Sequence, residues 1–341
     1  MVIMERYRAY ERKRRLLGYA LGASLLSAAL VAVQLGVLKV SLGELFSNTV
    51  LWNIRLPRIT SALLVGAALG ISGAVMQCTL RNPLASPFTL GISSGAAFGA
   101  AVAIVFFGAG QLNRTGLTGI VIDNPYSISA FAFLFALGAV FVILALVRIK
   151  QITPTAMILT GVAMSSFFQA STMLIQLFAE DVKVAAVVFW TFGDVGRANW
   201  GEIAIMGVAF LLIFGYFLRR RWELNIMLGG DDTAKSLGVE PSRFRLEVMV
   251  LASLLTALSV SFSGIIGFVG LIAPHAVRLV AGADHRFLIP YSALLGALVL
   301  LLSDTVGRMV ISPAVIPVGI ITAFLGVPIF LYLLIRGGSY A

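Results

Sequence analysis

The residues of this chain that could do chemistry are mainly arginines and aspartates at the edges of long apolar runs. Arg55 and Arg58 flank a proline just before one run, and Arg308 closes another. Guanidinium groups can bind carboxylates in bidentate pairs. Arginines at helix ends also snorkel towards a membrane surface. Arg308 has a third alternative, which is pairing with Asp304 one turn away.

A second group of polar residues lies in the segment 219–245, which is long enough for two short helices. Asp231 and Asp232 directly precede a helical-looking stretch, where carboxylates can cap free N–H groups and favour the positive end of the helix dipole. Gly238 suits the end of that helix. The pattern predicts short helices here, and the alternative is a solvated loop.

The sequence lacks the residue patterns that several kinds of activity require. No GxxxxGK[ST] loop is present, so the chain has no phosphate cradle of the P-loop type. The two histidines have no cysteine or carboxylate cluster at metal-ligand spacing, and Cys78 is the single cysteine. We expect neither a metal nor a cofactor, and the missing catalytic groups argue against an intramembrane enzyme. An ion-coupled secondary transporter usually needs a charged residue near the middle of a span, and none is found there.

The composition indicates a membrane protein. The 341 residues are 59% hydrophobic and 12% charged, whereas a soluble domain carries about 25% charged residues. Runs long enough to cross a bilayer occur at 16–38, 59–80, 90–108, 127–147, 154–178, 202–218, 246–262, 287–307 and 317–335. A shorter run at 264–277 is either a tenth helix or a re-entrant segment. The first run is too long for a signal peptide and is expected to stay uncleaved.

The positions of the basic residues favour ten spans with both termini in the cytoplasm. In that arrangement 18 of the 25 Lys and Arg residues fall on the inner side, as the positive-inside rule requires. The net charge of +10 therefore indicates orientation in a plasma membrane, and no nucleic-acid partner is expected.

One predicted span has a small-residue face. Gly66, Gly70 and Gly73 lie along one side of the run 59–80, and such spacing lets helix backbones approach closely. We expect tight packing of this helix, which could also shift against its neighbours during transport.

Five motifs are similar to those of a known family. They are RLPR at 55–58, GAALGISGAVMQCTLRNPLASPFTLGISSGA at 66–96, LGGDDTAKSLGV at 228–239, SGIIGFVGLIAPHAVRLVAGADHRFLIPYSALLGA at 263–297 and IPVGIITAFLGVPIFLYLLIR at 316–336. In this order and spacing they resemble the permease subunits of ABC importers for iron-siderophores, haem and vitamin B12. The resemblance covers nearly the full length.

The resemblance implies an all-α polytopic fold with about ten transmembrane helices, like the vitamin B12 permease of type II ABC importers. It implies one transmembrane domain over residues 1–341, with residues 1–15 and 219–245 in the cytoplasm. The subunit would form a homodimer with the pore on its two-fold axis. Two ATPase subunits would dock inside and a substrate-binding protein outside.

The resemblance also assigns expected roles to residues. Arg55, Arg58 and Arg308 would receive acidic residues of the binding protein. Leu84, within RNPLASPFTLG at 81–91, would lie at the cytoplasmic gate, as would Thr153 and Pro154. The coupling helices that enter a cleft of the ATPase would include Asp231, Asp232, Thr233, Ala234, Leu237 and Gly238. Bulky charged residues at Ala234 and Leu237 are expected to leave folding intact and to abolish ATPase binding.

Two positions depart from the family pattern. Val315 stands where a glutamate is usual, and Asp194 stands where many relatives have serine. The expected cargo is a metal chelate, such as an iron-siderophore, haem or a cobalamin-like molecule. An oxyanion such as molybdate is the alternative within the family.

Overall fold

The apolar runs form long helices in the computed structural model, which describes residues 2–35, 49–109, 111–112, 120–121, 125–150 and 153–337. The helices in these residues are α1 (Val2–Gln34), α2 (Leu56–Thr79), α3 (Ile92–Phe106), α4 (Pro125–Lys150), α5 (Pro154–Phe178), α6 (Asp181–Thr191), α7 (Trp200–Arg219), α8 (Arg221–Leu228), α9 (Asp231–Ser236), α10 (Pro241–Ser263), α11 (Val269–Ala281), α12 (His285–Met309) and α13 (Val318–Gly337).

Ten of these helices match the predicted spans. Seven are long and apolar enough to cross a membrane, and α3, α11 and α13 are shorter apolar helices. The run at 264–277 therefore contains a helix, α11, whose start is delayed to Val269 by left-handed backbone at Gly264 and Phe268. Residues 36–38 of the first predicted span lie outside the described residues.

The remaining elements are short and connect the long helices. α6 precedes a 3₁₀ turn at Val195–Arg197, and α8 and α9 occupy the polar segment after α7. A π-helical turn at Leu51–Arg55 leads into α2. A two-residue antiparallel ribbon, Gln111–Leu112 with Ile120–Val121, lies between α3 and α4.

α2 lies at the centre of the helix bundle, and its small residues explain why. A Cβ atom on Gly66 or Gly70 would collide with backbone of α12, at Gly296 and Ser292, and one on Gly73 would collide with the carbonyl of Gly270 in α11. The predicted close packing is confirmed. Because neighbouring backbones touch α2 directly, most of its residues are buried, whereas α1 and α5 remain largely exposed.

The two ends of the bundle differ in charge. We call one the basic end; it carries Arg14, Arg81, the triplet at 219–221, Arg278 and Arg286, with α8 and α9. The other, called the opposite end, carries α6, the segment 192–199 and the loop 310–317. α1 is fastened at the basic end, where Arg14 pairs with Asp284 at 3.5 Å and the Tyr291 hydroxyl donates to the Arg14 carbonyl at 2.9 Å.

Candidate functional site

The three arginines expected to receive a partner lie in one cluster at the opposite end. Arg58 Nε donates to Asp304 Oδ1 at 2.8 Å, and Arg308 Nε donates to Asp304 Oδ2 at 3.1 Å. Asp304 is 1% exposed, so one buried carboxylate holds two guanidinium groups. The pairing of Arg308 with Asp304, considered above as an alternative, is present.

Two of these arginines also bind the end of α1. Arg55 donates to the carbonyl oxygens of Val33 and Gln34, and Arg308 Nη1 donates to that of Leu35 at 2.8 Å. The last carbonyls of a helix have no partner within the helix, and cations near them are favourable. Arg55 and Arg308 are 5% and 7% exposed. No local sequence pattern indicates this capping, because α1 and Arg308 lie far apart in the chain.

Arg58 has a second carboxylate partner that sequence reasoning missed. Asp194 Oδ1 lies 2.9 Å from Arg58 Nη2, and the Asp194 side chain is 31% exposed. Nη2 has no partner in hydrogen-bond geometry, so this contact is an ion pair without a directed hydrogen bond. Asp194 also accepts from the Gly196 amide at 2.9 Å and thereby caps the 3₁₀ turn.

A cavity of about 970 Å³ opens beside this cluster. Its wall is mostly apolar and aromatic, including Trp190, Phe192 and Phe262, and its charged members are Asp194, Arg197 and Glu202. The Arg197 guanidinium donates to the carbonyls of Trp190 and Phe189 at 2.9 and 2.6 Å, and burial lowers the pKa of Arg197. Val315 lines this cavity with an apolar side chain.

At the basic end, the segment 81–91 forms an ordered turn between α2 and α3. Asn82 N donates to Gln77 O and Arg81 N to Cys78 O, both at 3.1 Å, which is the Schellman pattern of a helix end. Arg81 takes the left-handed conformation, with φ of 46°, at the position where glycine is usual. α2 therefore ends through Arg81, and Pro83 follows after the helix has stopped.

The expected gate residues lie on and near this turn. Leu84 is 44% exposed, and its amide donates to Asn82 Oδ1 at 2.8 Å. Thr153 caps α5 by accepting from the Ala156 amide at 3.3 Å, and Pro154 is the first residue of α5. Further along α5, Gly161 lies against the backbone of Thr89 and Leu90. The turn and the first half of α5 are therefore in contact.

Within the segment 219–245 the two predicted short helices are present as α8 and α9, and two expected details are wrong. The N-cap of α9 is Gly230 with no side-chain cap, and Asp231 and Asp232 lie in the first turn, where their charges favour the dipole. Ala234 is fully buried, so a bulky charge there would disrupt folding, contrary to expectation. Thr233 and Asp232 are exposed, and Leu237 is 60% exposed.

Gly238 ends α9 as predicted. Its φ is +83°, and Val239 N donates to Ala234 O at 2.9 Å while Gly238 N donates to Lys235 O at 3.0 Å. This is again the Schellman pattern. The C-terminal end of α9 is therefore fixed by two hydrogen bonds next to the exposed surface of the helix.

Asp231 joins α9 to the end of α2. Its carboxylate pairs with Arg81 and accepts from Arg245 Nη2 at 3.0 Å. Arg245 is nearly buried, and its Nε donates to the Thr79 carbonyl at 3.2 Å. The Cys78 thiol adds a contact to the Leu224 carbonyl of α8 at 3.2 Å. Arg81 and Asp231 are 150 residues apart in the chain, and only the fold shows this junction.

Comparison with known proteins agrees with this architecture. The family model described as the FecCD transport family matches residues 19–336. The chain belongs to the FecCD transport family. Its relatives are named as transport permeases, which agrees with a role other than enzyme.

Relatives of this FecCD chain have several named cargoes. An ABC transporter permease protein of Methanocaldococcus jannaschii is 52% identical, with 98% of this chain and 99% of the relative covered. The hemin transport system permease protein of Yersinia pestis is 35% identical, with 95% and 96% covered. The molybdate import system permease protein of Haemophilus influenzae is 39% identical, with 85% and 82% covered.

A solved structure supports the FecCD fold directly. A protein described as a metal-chelate type ABC transporter in an inward-facing conformation is 33% identical, with a TM-score of 0.82. The match covers 95% of this chain and 99% of that one. The all-α fold of a multi-pass permease of the type II ABC importer class, with about ten transmembrane helices, is thus confirmed.

Proposed function

We propose that this chain is the pore-forming subunit of an ATP-driven importer of a metal chelate. The single observation that carries the proposal is the match of residues 19–336 to the FecCD family, together with relatives that are named as import permeases. In the proposed assembly two copies form a homodimer, one transmembrane domain each. Two separate ATPase subunits bind on the cytoplasmic side and a substrate-binding protein docks on the other side.

The cavity favours a large chelate over a small oxyanion. Its volume of about 970 Å³ and its aromatic wall suit a molecule with an apolar periphery, because apolar pockets hold ligands largely by burial. An oxyanion needs several converging N–H donors, whereas the Arg197 guanidinium is engaged with two carbonyls. Molybdate, the named cargo of one relative, is therefore the second candidate.

The proposed orientation places the basic end in the cytoplasm of the cell, with both termini there. The basic residues concentrated at that end support it, because positively charged loops stay on the inner side. In this orientation residues 2–15 form the cytoplasmic start of α1, and α8 and α9 face the ATPase.

At the outer end we propose Arg58 as the direct contact for acidic residues of the binding protein. Arg55 and Arg308 are nearly buried and bind the end of α1. We propose that they attract the partner through their charge, since a buried cation still contributes to the field that steers association. The side chain of Arg58 is 12% exposed, and its ion pair with Asp194 reaches the surface.

At the inner end the proposed gate consists of Leu84 with Thr153 and Pro154. The exposed side chain of Leu84 and the contact between its turn and α5 support this assignment. The proposed ATPase contact is the exposed face of α9, with Asp232, Thr233 and Leu237. Asp231 and Gly238 shape that face from within, and Ala234 anchors it.

Assembly provides a direct test of this proposal. The permease is co-expressed with the ATPase and binding-protein chains of the same transport system, and the purified complex is weighed by native mass spectrometry. We expect two permease chains with two ATPase chains, and addition of one binding protein. A permease that purifies alone under all conditions, and shows no affinity for the ATPase, would overturn the proposal.

A further inference from the structure

Arg58 is shared by two aspartates that differ in how firmly they hold it. The Asp304 carboxylate is fully buried and accepts a hydrogen bond from Nε at 2.8 Å. The Asp194 carboxylate is partly exposed and contacts Nη2 only as an ion pair. Partly exposed ion pairs contribute little to stability, so Asp194 is the partner that another carboxylate can replace.

Arg58 lies close to other arginines at the opposite end of the bundle, and two carboxylates bear directly on it. The neighbouring arginines are Arg55, Arg197 and Arg308, and the two carboxylates are those of Asp194 and Asp304. Because Asp304 is buried and Asp194 is partly exposed, a carboxylate that arrives from outside would take the place of Asp194.

We propose that Asp194 is an internal stand-in for a carboxylate of the substrate-binding protein, which displaces it from Arg58 on docking. This inference rests on the proposed function, in which an acidic surface docks at this end. In the undocked chain Asp194 competes with the partner and lowers its affinity.

Displacement of the Asp194 side chain would also affect the wall of the cavity, because Asp194 belongs to a segment that is hydrogen-bonded to two helices there. The Asp194 amide donates to the Ser263 carbonyl of α10 at 2.7 Å, and the Gly319 amide of α13 donates to the Gly193 carbonyl at 3.3 Å. Asp194 itself lines the cavity beside Arg197. The segment that carries the stand-in thus connects α10 and α13 at the cavity wall, and exchange of partners at Arg58 changes how that segment is held.

The test measures the affinity of the purified substrate-binding protein of the same importer for the permease–ATPase complex in nanodiscs, at low and high salt. Asp194→Asn keeps an oxygen that can cap the Gly196 amide and removes the charge. We expect the affinity to rise about two- to fivefold at low salt, the range of a partly exposed ion pair, with a steeper salt dependence. Asp194→Ser should act in the same direction and guards against a folding defect in one variant.

Two controls make the result specific. Asp181→Asn removes the same charge from the exposed start of α6 and is expected to change the affinity much less. In an Arg58→Gln background, Asp194→Asn should lose its effect. Equal gains for the Asp181 and Asp194 variants, or no gain at Asp194, would overturn the stand-in. If Arg58→Glu weakens docking while Asp194→Asn has no effect, the docking proposal survives and this inference alone fails.

Discussion

At the scale of single residues, two arginines occupy unfavourable positions, one because of its backbone conformation and the other because its charge is buried. In each case a specific carboxylate or carbonyl group binds the guanidinium. Arg81 adopts a left-handed φ of 46°, which costs a residue other than glycine about 1–2 kcal/mol. Its guanidinium pairs with Asp231. Arg308 is buried, and Asp304 and the Leu35 carbonyl satisfy it. Both arrangements join parts of the chain that are distant in sequence.

Substitutions at Arg81 separate backbone conformation from charge. Arg81→Ala loses the ion pair and keeps the strained φ, whereas Arg81→Gly loses the ion pair and relieves the strain. We expect the glycine variant to be more stable than the alanine variant by about 1 kcal/mol, and both to transport more slowly than wild type. Thermal unfolding in detergent checks the first point. Equal stability of the two variants would contradict the assigned backbone strain.

Asp284 gives a pH dependence at the basic end. Burial by itself would raise its pKa, but hydrogen bonds from Arg286 and Asn225 lower it to about 2, from an ordinary value of 3.8. A carboxylate with a depressed folded-state pKa stabilises the fold above its unfolded pKa, and this stability is lost as pH falls towards the folded value. Asp284→Asn should therefore be less stable than wild type at pH 7.

The stability difference should narrow between about pH 4 and about pH 2, where the wild-type carboxylate takes up its proton. Unfolding of both proteins across this range checks it, with Asp181→Asn as the control for loss of an exposed aspartate. A difference that stays constant over the whole pH range would show that the charge of Asp284 is not what stabilises the contact with α1.

At the scale of elements, the glycine face of α2 determines the packing of the bundle. Gly73→Ala places a methyl group against the Gly270 carbonyl, which is backbone and cannot turn aside. Overpacking of this kind costs about 1–3 kcal/mol. Gly138→Ala in α4 is the matched control, because a Cβ there meets nothing within 4 Å, and alanine is the better helix former.

We expect Gly73→Ala to lower the stability and the transport rate, and Gly138→Ala to preserve or slightly raise stability. Thermal unfolding and uptake assays on the two variants decide the matter. Similar behaviour of the two variants would mean that α2 and α11 do not approach each other as closely as described.

α9 provides a test of coupling. Leu237→Glu alters an exposed side chain and should leave the permease folded while it abolishes binding of the ATPase. Ala234→Glu buries a charge and should lower the stability by several kcal/mol, since an unpaired buried charge is costly. The two readouts are size-exclusion profiles and ATPase co-purification. If the Leu237→Glu variant still bound the ATPase, α9 would not be part of the ATPase interface.

At the scale of the whole molecule, the sequence predicts what depends on local pattern. Nine spans follow from the lengths of the apolar runs, and the positions of the basic residues favour a tenth. The close packing of α2 follows from glycine spacing, and the end of α9 follows from Gly238. Contacts between distant segments were not predictable. No local sequence pattern indicates that Arg55 and Arg308 bind the end of α1. The same holds for the binding of Asp231 by Arg81 and Arg245, because each contact forms only in the packed bundle.

The burial of individual residues within a helix was the other limit. Ala234 lies in α9, and Leu237, three residues further on, is the C-cap of that helix. Composition alone does not indicate that Ala234 is buried and Leu237 exposed. The predicted docking arginines illustrate the same point, since their types and positions fit a docking surface and their burial is set by α1 and Asp304.

The most direct test of the central claim, that this permease is driven by ATP, is uptake into proteoliposomes that contain the permease, its ATPase and its binding protein. Uptake of a labelled haem or siderophore chelate is measured with enclosed ATP while ionophores collapse the proton and sodium gradients. We predict that uptake persists with ionophores and stops when ATP is replaced by a non-hydrolysable analogue. The claim would be contradicted if the permease took up the chelate without the ATPase, if ionophores abolished that uptake, and if replacing ATP by the analogue had no effect on it.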